Sequence, residues 1–195
     1  MHIVWISLCL VLLDQSTKLY VKGFSFWGIQ WNGFPLYTSL PLIGDFLRFT
    51  YIENAGLAFG IDVGAKLFFS LFSVVASGAI LFYIYKIRHQ ALMLRLPFAF
   101  ILGGATGNLI DRVFYAQWYH DGELFYGSVV DFIDVDFFDV NLLGYQLHRW
   151  PVFNIADASV SIGVCFLLFI QWKYMHNDTP IANAPSLPPS ENPIP

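Results

Sequence analysis

Charge is scarce in this sequence. Lys, Arg, Asp and Glu make up 12% of its 195 residues, about half the usual share of a soluble domain. So little charge, with long apolar runs, excludes an ordinary water-soluble fold and points to an integral membrane protein. A basic excess is also missing: ten Lys and Arg stand against fourteen Asp and Glu, a net charge of −4, so no nucleic-acid partner is expected. Cysteine is nearly absent. Cys9 and Cys165 each sit inside an apolar run without metal-ligand spacing, and read as free thiols packing as small hydrophobes. No metal-binding pattern appears, and no cofactor is expected. The first apolar run lacks a basic start and an Ala-x-Ala-like end, so it does not read as a cleaved signal peptide. What is plentiful is apolar: 56% of residues, with a mean hydropathy of +0.57.

Four segments are long enough to span a bilayer: about 3–20, 64–85, 92–110 and 152–174. Each is close to the twenty or so residues that cross about 30 Å of hydrocarbon. The short connection between the second and third holds Lys86, Arg88 and His89, with Arg95 just beyond. Lys/Arg bias makes it cytoplasmic. Both termini are then cytoplasmic, and the other two connections face outward. Residues 111–151 carry seven acids (Asp111, Asp121, Glu123, Asp131, Asp134, Asp136, Asp139) against Arg112 and Arg149, in keeping with that assignment. Residues 21–62 are too long for a simple loop. Strand-like stretches at Phe24–Trp31 and Phe46–Glu53, with turns at Asn32-Gly33 and Ile43-Gly44-Asp45, predict a small sheet on the membrane. Trp27, Trp31, Phe34 and Tyr37 would be its interfacial anchors. Ser128–Val135 has strand character too. Residues 1–176 are expected to form one membrane domain. Residues 177–195, with six of the ten prolines, are expected to be a disordered cytoplasmic tail.

The polar residues of the spans gather at one depth. Asp14 and Lys18 share a helix face at i, i+4 and can pair. Asn108 and Asp111, with Arg112, close the third span; Asn154 and Asp157 open the fourth. Asp14/Lys18 reads first as a structural ion pair. Asp111-Arg112 is divided between helix-end pairing and substrate contact, and Asn154 can simply cap its helix. Gly103-Gly104-x-x-Gly107 has small-residue spacing for close helix packing. An acid in the first turn of a membrane helix is unfavourable and usually has a task, which singles out Asp157. Asp131 is its expected mate, although composition alone leaves Asp134, Asp136 and Asp139 open.

Two carboxylates brought close cannot both ionise cheaply, so one takes up a proton near neutral pH. The ionised partner can draw a proton from water while the protonated one polarises a carbonyl, as in an aspartyl protease. The helix dipole favours the charged form of Asp157, leaving Asp131 as the protonated partner. A small proton-coupled carrier is the alternative, since intramembrane acids also mark ion paths; an inert scaffold is a third reading.

Five stretches resemble the motifs of lipoprotein signal peptidase, also called signal peptidase II. They are Asp14-Gln15-Ser16-Thr17-Lys18, Glu53-Asn54-Ala55-Gly56-Leu57-Ala58-Phe59-Gly60, residues 103–112 from Gly103 to Arg112, Val129-Val130-Asp131-Phe132-Ile133 and Phe153-Asn154-Ile155-Ala156-Asp157. They occur in the family's order and cover residues 5–174. The resemblance implies an aspartyl endopeptidase of the bacterial inner membrane. Its fold would be four transmembrane helices, a periplasmic β-cradle at about 21–62 and a periplasmic loop, 111–151, over the site. Its substrates would be prolipoproteins carrying a diacylglyceryl group on the new N-terminal Cys, with the cut on the N-terminal side of that Cys. By motif, Asp131 and Asp157 are catalytic. Asn54, Gly56, Asn108, Arg112 and Asn154 hold substrate, and Asp14, Lys18 and Asp111 support structure. The resemblance also implies inhibition by globomycin; a monomer in contact with membrane lipid is expected. The intervals 113–130 and 132–153 are longer than in many members. A site at the lipid boundary suits such a substrate, because lifting acyl chains from the bilayer costs about 0.8 kcal/mol per CH₂.

Overall fold

The computed structural model describes residues 2–56, 64–136, 140–142, 145–147 and 149–177. In chain order it contains α1 (Val4–Lys22), β1 (Phe24–Phe26), β2 (Ile29–Trp31), β3 (Ser39–Ile43), β4 (Leu47–Asn54), α2 (Gly64–Lys86) and α3 (Leu92–Ile110). One π-helical turn (Asp111–Tyr115) and a last turn, α4 (Ala116–Trp118), continue α3. Then come β5 (Val129–Val135), the hairpin of β6 (Val140–Leu142) and β7 (Tyr145–Leu147), and α5 (Ile155–Asn177). Four helical stretches, 4–22, 66–86, 92–118 and 155–176, are long and apolar enough to cross a membrane. Hydrocarbon offers the backbone no hydrogen bonds, so such runs close their own as helices.

α3 is the hub: α1, α2 and α5 all pack on it. Its glycines make this possible. A Cβ at Gly103 would lie 2.9 Å from Leu10 Cβ, one at Gly104 2.2 Å from the Ala156 carbonyl oxygen, and one at Gly107 2.5 Å from Asp14 Oδ2. The expected small-residue packing is therefore present, against α1 on one side and α5 on the other. Close approach of backbones is what small residues contribute in a bilayer, where no hydrophobic force draws helices together.

The sheet carries the site's other half. β3, β4 and β5 form an antiparallel sheet in that order. β4 has one extra residue between Phe49, opposite Ile133, and Ile52, opposite Asp131. The free edge of β5 is taken by Phe153, whose N–H donates to the Ile133 carbonyl at 3.0 Å and whose carbonyl accepts the Ile133 N–H at 2.7 Å. That bridge delivers the start of α5 to β5. Val21, Tyr51, Tyr115, Val130 and Phe132 fill the space beneath.

Several expectations need correction. Phe24–Trp31 is not one strand but a hairpin, because Trp27 (φ 49°) and Gly28 (φ 82°) make a two-residue turn with both φ positive. β3 was not foreseen: Pro41 speaks against a strand and is tolerated here on the sheet's edge. Trp27 (102% exposed) and Tyr37 (76%) stand out from the surface. Phe34 does not. It packs into the core, 4.7 Å centroid to centroid from Phe49. Residues 111–118 are a helical extension rather than loop. The tail beyond 177, motif residues 57–60 and Asp139 lie outside the described residues.

Gly104→Ala should destabilise the protein by at least about 1–3 kcal/mol, since the atom it strikes is backbone and cannot rotate away. Gly78→Ala meets nothing within 4 Å and should be neutral or stabilising. Thermal denaturation in detergent checks the contrast.

Candidate active site

The site begins with a buried cation. Lys18, 0% exposed, points from α1 toward α3. Its Nζ lies 2.9 Å from Asp14 Oδ2 and 2.8 Å from Asp111 Oδ2, and donates to Asn108 Oδ1 at 2.8 Å. An ammonium has three protons and no acceptor; all three are used. Both carboxylates have further work. Asp14 Oδ1 accepts the Ala156 N–H (2.9 Å) in the open first turn of α5, and Asp111 Oδ2 accepts the Val130 N–H (3.2 Å) of β5. One ion cluster thus ties α1, α3, α5 and the sheet together.

Three asparagine side chains carry this order to Asp131 and Asp157. Asn108 Oδ1 is occupied by Lys18 and by Asn154 Nδ2 (3.1 Å), so its amide nitrogen faces Asp157 and donates to Oδ1 at 2.7 Å. Asn154 precedes α5 and forms a reciprocal cap with Asp157. Its Oδ1 accepts the Asp157 N–H (2.9 Å), and Asp157 Oδ2 accepts the Asn154 N–H (3.3 Å). Asn154 Nδ2 then donates to Asp131 Oδ1 at 2.6 Å. Asn54 Oδ1 accepts the Gly56 N–H (2.9 Å), which aims its Nδ2 at Asp131 Oδ2 (3.2 Å). Gly56 adopts φ 81°, a conformation glycine takes without strain. Asn154 therefore caps the helix and also joins the two acids.

Asp131 is 1% exposed while Asp157 is half-buried. Burial, and then the charge of Asp157, push the Asp131 pKa up to about 7, outweighing the amide donors of Asn54 and Asn154. Arg112 extends from the π turn into the field of Asp111, Asp157 and Asp131, and its guanidinium forms no hydrogen bond among the described residues. Of the other candidate acids, the two that are described are committed elsewhere. Asp134 takes Thr50 Oγ1 (2.7 Å) and Arg149 Nε (2.8 Å), and Asp136 takes Arg149 at 3.1 Å.

Residues not singled out by sequence also matter. Gln15 Nε2 donates to Asp111 Oδ1 (2.9 Å) and to the Gly107 carbonyl (3.1 Å), while Tyr115 Oη donates to Gln15 Oε1 (3.0 Å). A Gln beside Asp14 in an apolar helix was the available signal. The π turn, a feature common at functional sites, has no evident signature in Asp111–Tyr115. Among the described residues no group of three or more His, Cys, Asp or Glu could hold a metal ion.

A family model described as Signal peptidase (SPase) II matches residues 6–173. The chain belongs to the signal peptidase II family. Relatives named lipoprotein signal peptidase include one from Syntrophus aciditrophicus, 42% identical over 81% of this chain and 84% of that protein. Another, from Pelodictyon phaeoclathratiforme, is 34% identical over 90% of this chain and 92% of its own length. A solved structure titled as a bacterial membrane enzyme, by the in meso method at 1.9 Å, superposes with a TM-score of 0.66 at 29% identity, covering 88% of this chain and 92% of that one. Its fold and family make the chain a mostly helical bacterial membrane protein and an aspartic peptidase.

Lys18→Met should cost about 3–5 kcal/mol, because it strands two buried carboxylates. Adding Asp14→Asn and Asp111→Asn should recover part of that loss in denaturant titrations. The raised pKa of Asp131 has the opposite sign to a salt-bridged acid. The native state holds a proton that the unfolded chain gives up near pH 3.9, so the Asp131 contribution to stability falls as pH rises from about 4 to about 7. Asp131→Asn should match wild type near pH 4 and be the more stable of the two at pH 8, as read by thermal midpoints.

Proposed function

We propose that this chain removes signal peptides from prolipoproteins, cleaving on the N-terminal side of a diacylglyceryl-modified Cys, with Asp131 and Asp157 as its catalytic pair. The observation that carries the reading is the junction of the two acids through Asn154. One acid comes from a buried strand and the other from the first turn of a membrane helix.

The chemistry follows from their unequal surroundings. Asp157, half-buried and held by Asn108 Nδ2 and the Asn154 N–H, takes a proton from a water molecule. The hydroxyl adds to the scissile carbonyl carbon. Asp131, enclosed and protonated near neutrality, donates to the carbonyl oxygen as it gains charge. Collapse of the tetrahedral intermediate breaks the C–N bond, the proton on Asp157 passes to the leaving amine, and Asp131 recovers its proton from the gem-diol hydroxyl as the carbonyl re-forms. Arg112, with its guanidinium free among the described residues, serves the substrate backbone. Asn54 and Gly56, adjoining Asp131, hold the segment entering from the sheet side; Asn108 and Asn154 orient the dyad and line its floor. Asp14, Lys18 and Asp111 act as support.

Several further assignments belong to the same reading. The acids gather at one end of the helices and unpaired bases at the other, which supports a periplasmic site with cytoplasmic termini. The exposed apolar surface of β3 and the β1–β2 hairpin, with Trp27, Ile29, Leu40 and Leu42, would lie on the lipid as a cradle. Membrane lipid, a monomeric state and competition by globomycin-type peptides complete the proposal. A proton-coupled carrier is set aside by the family assignment and by the confinement of the acids to one end of the helices.

Asp131→Asn and Asp157→Asn should each abolish cleavage of a diacylated prolipoprotein peptide, by a factor of 10² or more given the usual contribution of a general acid or base, while the protein still purifies folded. Activity in wild type should fall as pH rises through about 7, where Asp131 loses its proton. Full activity of either variant overturns the assignment.

A further inference from the structure

The end of the helices opposite the dyad has no part in the chemistry, yet it is chemically one-sided. Lys86, Arg88, Arg95 and Lys173 lie there, and no described acid faces them; none of the four forms an ion pair among the described residues. Arg88 and Arg95 each spend one guanidinium N–H on a backbone carbonyl, of Tyr85 (3.0 Å) and of Arg88 (3.0 Å) respectively. Arg95 Nε is shielded from solvent and has no partner. The N-termini of α1 and α3 at this end have no side-chain cap and no acid in their first turns. Each of these features favours an anion.

Beside the bases runs an apolar groove. α2 and α5 both pack on α3 but diverge from one another, leaving a groove of about 450 Å³ lined by Tyr83, Ile87, Leu94, Phe98, Leu167 and Ile170. Arg88 sits in the turn between two lining positions, Ile87 and Gln90. Lys173 edges a second groove of about 150 Å³ that shares Leu94, Ile170 and Tyr174 with the first. Lys173 thus lines the smaller groove, while Arg88 and Arg95 adjoin in sequence the lining residues Ile87 and Leu94 of the larger one.

We propose that this groove holds one anionic phospholipid, with its phosphodiester headgroup on the basic rim of Arg88, Arg95 and Lys173 and an acyl chain between α2 and α5. A zwitterionic lipid could fill the groove as well but would gain little from the rim. A free anion could meet the bases but would leave the groove empty. Basic pockets between transmembrane helices are suited to acidic headgroups.

The test uses the purified full chain in a neutral detergent, with phosphatidylglycerol, phosphatidylcholine and inorganic phosphate as probes, and retained lipid counted by native mass spectrometry. The expected result is retention of one phosphatidylglycerol in preference to phosphatidylcholine, not displaced by millimolar phosphate. Arg88→Gln and the exposed Lys173→Gln should each weaken retention about fivefold. Gln171→Trp, which narrows the groove without touching charge, should weaken it too. Equal retention of the two lipids, displacement by phosphate, or indifference to the charge variants overturns the proposal. Indifference to Gln171→Trp removes the chain from the groove and overturns it likewise. Thermal midpoints without lipid confirm that each variant is folded; should Arg88→Gln unfold, Lys173→Gln alone decides. Peptide cleavage without added lipid is scored separately, so a failure here leaves the peptidase reading untouched.

Discussion

Everything at the dyad depends on one buried ammonium. Lys18 has no contact with water, and its three protons go to Asp14, Asp111 and Asn108. A lone lysine in such a place would be very unfavourable, and two lone carboxylates more so. Together they become a junction, because the oxygens left over reach other elements. Asp14 satisfies an otherwise open N–H in the first turn of α5, and Asp111 satisfies one on β5. The helix bearing Asp157 and the strand bearing Asp131 are therefore referenced to the same cation.

The same junction sets the direction of the amides. An asparagine side chain could present either its oxygen or its nitrogen to a carboxylate, and only the nitrogen is favourable. Here each oxygen is already claimed: Asn108 by Lys18, Asn154 by the Asp157 N–H, and Asn54 by the Gly56 N–H. All three nitrogens are thus turned toward the acids. The result is two carboxylates with fixed donors but different exposure, the condition under which a pair divides into acid and base.

The surrounding architecture brings the parts of this polar centre together. Glycines on α3 bring α1 and α5 close enough for Asp14 to reach the start of α5. The sheet, stitched to Phe153, closes over the site from the side away from the helices. Apolar surface on both the helices and the sheet faces outward.

The sequence by itself was enough for the helices, since hydrocarbon thickness dictates run length and an unsolvated backbone must coil. It was also enough for the gathering of acids at one end, since charges inside spans are too unfavourable to scatter. Small-residue packing at Gly103, Gly104 and Gly107 was legible for a similar reason, and the motif resemblance named Asp131 and Asp157. Strand β3 with its Pro41 and the inward placement of Phe34 were not legible, because each is set by neighbours outside its own stretch of chain; the Trp27-Gly28 turn is local but puts a tryptophan at positive φ, which residue type does not announce. Only the tertiary structure decided what occupies the competing acids: Asp134 and Asp136 are taken by Arg149, and Asp134 by Thr50 as well, whereas Asp131 meets the amides of Asn54 and Asn154. It alone set the hydrogen-bond partners of Asn54, Asn108 and Asn154, which lie 77, 49 and 23 residues away. Local periodicity records which face a residue takes, but not which distant group will meet it there.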